Sequence, residues 1–270
     1  MPATPPVVPA APAKLTMAEL RALAQPPSVM GRRNSEHWAG SLYLRRMSIY
    51  VTRMLLPTGV SPNGVTWMMT LAGIGAGAVL VWPSWWAVLI CHLLLQLQIL
   101  LDCSDGEVAR VTKKTSPAGV YLDRIGHYLT EGLLPLAVGV HVDGGLTSIG
   151  GWTTLGAVTS VVVLWNKAFG DLIHVARGYA RLPLLSEDAS VAAVRVSGLA
   201  RVRRSLKVFP FFRAFVAFEF SLITLVFAVV DEIVGGHHVL RAWTIVMLPL
   251  AVVLAAGHLA AILLSRRLTD

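Results

Sequence analysis

Charge is scarce in this sequence. Of its 270 residues only 14% are Asp, Glu, Lys or Arg, where an ordinary soluble domain carries about 25%. That deficit excludes a typical soluble fold. Hydrophobic residues make up 55% of the chain and come in long runs rather than short periodic faces, as membrane spans do. Cysteine is scarcer still: Cys91 lies in an apolar run and Cys103 among acids, which excludes a disulfide framework. Acids are outnumbered by bases, giving a net charge of +8. No basic strand with interleaved aromatics accompanies that excess, so nucleic acid is not the expected partner. The opening stretch MPATPPVVPAAPAK lacks the basic flank and apolar core of a signal peptide. Residues 1–36 read as a cytoplasmic tail of Pro/Ala-rich, disordered character, with one short helix over 16–24.

What the chain has instead is an all-α pattern. Residues 37–57 form an amphipathic stretch in which Arg45, Arg46 and Arg53 alternate with Trp38, Leu42, Tyr43, Ile49, Tyr50, Met54 and Leu55. Such a helix lies in the membrane interface with its arginines toward headgroups; ordinary packing on the cytoplasmic face is the alternative. Pro57, Gly59 and Pro62 end it. Residues 58–270 then form a six-helix transmembrane domain, with spans expected at 65–81, 85–101, 122–140, 153–165, 209–230 and 242–264. Trp82, Trp85 and Trp86 stand at the first turn, as an aromatic belt requires. With these spans every Lys and Arg except Arg241 falls on one side, the positive-inside bias of a cell-membrane protein with both termini cytoplasmic. Gly73, Gly75 and Gly77 lie within a span and read as close helix packing, not a nucleotide loop.

The chemistry is concentrated in Asp102-Cys103-Ser104-Asp105-Gly106-Glu107-Val108-Ala109-Arg110, followed by Gly119, Asp123 and His127. Carboxylates at a membrane boundary are costly to desolvate and mark function. Asp102 and Asp105 share one helix face, and Gly119, Asp123, His127 and Glu131 another. Two antiparallel helices joined by the 106–118 segment bring the faces together. Converging carboxylates need a counter-charge, and oxygen ligands favour Mg²⁺ or Mn²⁺. Gly106, Ala109 and Gly119 leave room for a ligand, and Arg110 suits a phosphate.

This stretch resembles the signature of the CDP-alcohol phosphotransferase (CDP-alcohol phosphatidyltransferase) family, D-x2-D-G-x2-A-R-x8-G-x3-D-x3-D. Seven of the eight fixed residues are identical and every interval is kept; the departure is His127, where the family has its last Asp. Pro62-Asn63-Gly64-Val65-Thr66 is similar to the P-N-x-x-T segment that opens the family's first span. The resemblance implies transfer of a substituted phosphate from a CDP-linked donor, CDP-diacylglycerol being expected, to an alcohol acceptor with release of CMP, in phospholipid biosynthesis. It implies a two-metal site of Mg²⁺ or Mn²⁺ held by Asp102, Asp105, Asp123 and His127. It also implies contacts to the CDP portion from Asn63, Thr66, Gly106, Ala109, Arg110, Ser116 and Gly119, and suggests a homodimer.

By the same resemblance His127 stands where the family has its general base. A neutral imidazole accepts a proton and suits Mn²⁺ or Zn²⁺ better than Mg²⁺ as a ligand. Glu131 has three readings: it orients His127, supplies the missing carboxylate, or is a helix-face residue satisfied by a neighbour. The alternative to an enzyme is a non-catalytic relative that binds a CDP-lipid. A transporter would need midplane charges that are not evident. The basic run Arg177, Arg181, Arg195, Arg201, Arg203, Arg204 and Lys207 suits either anionic headgroups or a phosphorylated acceptor. Asp171 and His174 share a helix face, a weak metal pair, and His237 and His238 lie in the opposite loop.

Overall fold

A computed structural model of the chain describes residues 15–27, 43–183, 214–265 and 267–268. The expected tail before residue 15, the start of the amphipathic stretch with Trp38 and Leu42, and the basic run 195–207 lie outside those residues. The described residues are helical, with no strand among them. The helices are α1 (Met17–Ala24), α2 (Arg45–Leu55), α3 (Pro62–Leu80), α4 (Trp85–Thr112), α5 (Pro117–Asp143), α6 (Gly151–Tyr179), α7 (Ala217–Val234) and α8 (His238–Leu263). A 3-10 turn, Leu56–Thr58, follows α2. It closes on Gly59, whose φ of 71° is the left-handed conformation a glycine adopts without strain.

Three of these helices, α3, α4 and α8, are long and apolar enough to cross a membrane by length and composition. The other three long helices are α5, α6 and α7. They carry Asp123, Arg124 and Glu131; Lys167 and Asp171; and Glu219, Asp231 and Glu232 respectively. Two helices run well past the spans expected for them. α4 continues from 101 to Thr112, and α6 from 165 to Tyr179. The joining segment expected at 106–118 therefore shrinks to 113–116. The reason is burial: Ser104, Glu107 and Val108 on the extension of α4 are all inaccessible to solvent, so packing holds polar sequence in a helix.

The chain divides into two compact units. The first holds residues 1–69 and 99–123, the second 70–98 and 124–270. In the first unit, α1 starts with a capping box. The Glu19 amide donates to Thr16 Oγ1 at 3.3 Å, and the Thr16 amide donates to Glu19 Oε2 at 2.9 Å. Leu20 and Ala24, one turn apart, then enter a core with Ile49, Leu56, Val65, Met69, Leu101 and Val108. α2 turns Ser48, Ile49 and Thr52 inward and leaves Met47, Tyr50 and Met54 exposed.

In the second unit the core gathers Leu80, Leu95, Leu134, Val138, Val163, Phe220, Trp243 and Met247. The glycine reading of α3 holds there at two of three positions. A Cβ on Gly73 would overlap the Thr130 hydroxyl, and one on Gly77 would stand 3.1 Å from Leu133 Cβ, whereas Gly75 meets only ordinary contact. Both cysteines are free.

The α5–α6 connection is pinned by Asp143. Its Oδ2 accepts from the Gly150 amide at 2.8 Å, the Thr153 amide at 2.7 Å and the Thr153 hydroxyl at 2.6 Å, tying off the start of α6. Burial alone would raise this carboxyl, but the bonds from Thr153, Gly150 and Trp152 outweigh it and hold it below the usual carboxylate range. Asp143→Ala is expected to cost about 1 kcal/mol in thermal unfolding. Because the folded pKa is depressed, the stabilisation is present above the unfolded value, about 3.9. It is lost as pH falls through the folded one, so the two proteins should converge in acid.

Candidate functional site

Nearly all the motif residues fall within the first unit. α4 carries Asp102, Asp105, Gly106, Ala109 and Arg110. It closes at Lys113, which takes a left-handed φ of 56°, while the Lys114 amide donates back to the Ala109 carbonyl at 3.0 Å. Ser116 then caps α5: its Oγ accepts from the Gly119 amide at 3.1 Å, with Pro117 in the first helical position. The Ser116 hydroxyl, expected at a nucleotide, also caps this helix.

One small polar cluster joins the starts of α3 and α5. A Cβ on Gly119 would stand 3.0 Å from Asn63 Oδ1 and 3.5 Å from Ser116 Oγ. Gly119 is small because Asn63 lies against it. Gly106 has a similar reason, since a Cβ there would meet Arg110 Nη1 at 3.2 Å. The space expected for a ligand is the space over which the motif's own arginine folds. Thr66, also expected to hold the nucleotide, is only 3% exposed and donates to Asp105 Oδ2 at 2.8 Å. The P-N-x-x-T segment therefore braces an acid of the motif.

One carboxylate oxygen of Asp102 and one of Asp123 lie within 4.8 Å of each other. His127 sits one turn beyond Asp123 on the same unbroken helix, and a ring nitrogen of it lies within the same distance of them. Ligand atoms around one divalent ion at about 2.1 Å stand at most about 4.2 Å apart, so small side-chain adjustments close the three on an ion. Two carboxylates and an imidazole are a donor set that Mn²⁺ accepts more readily than Mg²⁺. Asp105 is not one of the three.

Glu131 takes the third of its readings. Its Oε2 accepts from Lys167 Nζ at 2.8 Å. Its Oε1 stands 4.0 Å from His127 Nδ1, beyond hydrogen-bond reach. Asp171 is likewise taken by a cation, Arg124 Nη1 at 2.8 Å, and forms no metal-spaced group with His174 among the described residues. A cavity of about 300 Å³ lined by Trp85, His141, Asp231, Glu232 and His237 lies in the second unit, at the ends of α4 and α5 remote from the motif.

Sequence reasoning gave no role to Glu107. Its side chain is fully buried. Oε1 accepts from Gln25 Nε2 at 2.8 Å and Ser48 Oγ at 2.6 Å, and Oε2 accepts from Thr52 Oγ1 at 2.7 Å. The signal was present in α2: Ser48 and Thr52, four residues apart, put two hydroxyls on one face of a helix otherwise rich in Arg, Met and Tyr.

No curated protein matches the chain. The sequence profile of one family does match, over residues 59–256. Its members carry out phosphatidyl transfer in phospholipid synthesis, act on CDP-alcohols and alcohol acceptors at membranes, and normally use divalent metal ions. That match spans the site described above and most of the sequence, and the chain belongs to the CDP-alcohol phosphatidyltransferase family.

Proposed function

We propose that the protein transfers a phosphatidyl group from CDP-diacylglycerol to an alcohol and releases CMP. The observation that carries this is the clustering of Asp102, Asp123 and His127 beside a Thr66-braced Asp105. Asp102, Asp105, Asp123 and His127 would hold two divalent ions, Mg²⁺ or Mn²⁺. When bound, these supply positive charge against the pyrophosphate and the leaving phosphate. The residues of the chain do the rest. Arg110 offers its terminal guanidinium nitrogens to a phosphate. Asn63, Gly119 and Ser116 border the nucleotide from the starts of α3 and α5, with Gly106 and Ala109 on α4. When its one nitrogen lone pair is not ligating an ion, His127 takes the proton of the acceptor hydroxyl, the general-base role of a neutral imidazole.

The membrane arrangement belongs to the same reading. Six long helices span the bilayer, residues 58–270 forming one transmembrane domain, with both termini and the motif on the cytoplasmic side. α2 rests in the interface on its exposed Met47, Tyr50 and Met54. A homodimer is proposed from the family alone.

The second reading, a relative that binds CDP-lipid without turnover, stands on His127 in place of a carboxylate. Purified protein given labelled CDP-diacylglycerol, Mn²⁺ or Mg²⁺ and a panel of alcohols separates the two. CMP release with one of the alcohols is expected. Binding of CDP with no release from any donor would overturn the enzyme reading. In the same assay Thr66→Val, which keeps the side-chain shape and removes the donor to Asp105, is expected to lower metal affinity about 10-fold or more. An unchanged metal titration would remove Asp105 from the ligand set.

A further inference from the structure

The family match begins at residue 59, so α1 and α2 precede it, yet they hold Arg110 of the motif and Glu107 within it. Arg110 Nε donates to the Ala24 carbonyl, the last residue of α1, at 2.6 Å. The next residue, Gln25, uses one side-chain nitrogen twice, toward Glu107 Oε1 at 2.8 Å and the Arg45 carbonyl at 2.7 Å. α1 is thus fastened to α4 by a buried carboxylate and to α2 by a backbone oxygen, over the apolar contact of Leu20 and Ala24 with Leu101 and Val108.

A guanidinium at a helix C-terminus is already favoured by the exposed carbonyls there. Here the bond is directional. With Nε committed and the side chain folded across Gly106, the plane of the guanidinium is fixed. Its two terminal nitrogens have no hydrogen-bond partner among the described residues. They form the edge that pairs bidentately with phosphate oxygens.

We propose that the end of α1 is a clamp that presents the terminal nitrogens of Arg110 to a phosphate of the CDP donor, with Gln25 and Glu107 as positioning residues. The proposal rests on the reading of Arg110 as a phosphate contact. A free arginine on α4 would have to lose its side-chain freedom on each binding event, whereas a clamped one is already oriented. Gln25→Ala removes the tie between α1 and Glu107 without touching the metal-spaced residues. Gln25→Glu sets a second carboxylate against Glu107 and should loosen the end of α1 further.

The test is a double-mutant cycle in full-length protein, reading KM for CDP-diacylglycerol, kcat and equilibrium binding of CDP, with thermal unfolding to confirm a folded protein. Arg110→Ala is expected to raise KM and weaken CDP binding at least 10-fold. Gln25→Ala should raise KM about 3- to 10-fold and Gln25→Glu more, each with kcat within a factor of two. Neither should add to the effect of Arg110→Ala. If Arg110→Ala leaves CDP binding unchanged, the phosphate reading falls and the clamp with it. If Arg110→Ala behaves as expected but the Gln25 variants leave KM unchanged, lower kcat alone, or add fully to Arg110→Ala, the clamp falls and the phosphate reading stands.

Discussion

His127→Ala is expected to lower kcat by about 10²- to 10⁴-fold, the contribution of a positioned general base, with CDP binding retained. The same histidine is offered above as a metal ligand, and the two roles separate in one further measurement. A lost ligand weakens the ion, so added Mn²⁺ restores turnover. A lost base leaves a deficit that no Mn²⁺ concentration repairs. His127→Asp sharpens the comparison because it installs the Asp that the family signature has at this position. That variant should keep much of the wild-type rate and move the metal preference from Mn²⁺ toward Mg²⁺, the harder ion that oxygen ligands suit. Turnover in His127→Ala equal to wild type would dismiss both roles.

The neighbours of His127 bear on that outcome. Lys167 neutralises Glu131 at 2.8 Å, so Glu131 is not a spare carboxylate waiting beside the imidazole. His127→Ala therefore has no ready substitute one turn away. The ion pair also joins α5 to α6 through side chains that are 22% and 11% exposed, in surroundings that screen it less than open water would.

The motif was legible because its chemistry is written in residue types at fixed spacing. Asp102, Asp123 and His127 could be placed together from the helical repeat and one turn between two helices, and the structure brings their ligand atoms within 4.8 Å. The short capped helix after Thr16 was equally plain, since a capping box is local chemistry. What the sequence hid depends on contacts far apart along it. Nothing near Glu107 says that a residue 82 positions earlier will donate to it. The length of α4 followed from that burial and not from its own hydropathy. The bond from Thr66 to Asp105 was hidden for the same reason: a hydroxyl at a helix start does not announce a carboxylate 39 positions on as its acceptor. Lys167 as partner of Glu131 was out of reach without the α5–α6 packing.

That packing makes the second large effect. Gly156→Val is expected to destabilise the protein by about 3 kcal/mol and to reduce turnover along with stability. A Cβ on Gly156 would overlap the carbonyl oxygen of Pro135, and one on Gly139 the carbonyl oxygen of Trp152. Both obstacles are backbone, so no side chain can swing aside, and the helices must part. The close approach has a use. Leu136 donates its amide to Ser160 Oγ at 3.0 Å, a bond that small residues on facing helices make possible. Farther along the same two helices Lys167 reaches Glu131, one turn from His127. Separating α5 from α6 at Gly156 thus loosens the ion pair behind the proposed base as well as the core. Gly178→Ala is the matching control: it lies in α6, a Cβ there meets nothing within 4 Å, and it should gain stability by about 0.5–1 kcal/mol. Thermal unfolding in detergent with CMP release on the same samples reads both. Equal melting temperatures for Gly156→Val and wild type would mean the helices have room that the glycine contact denies.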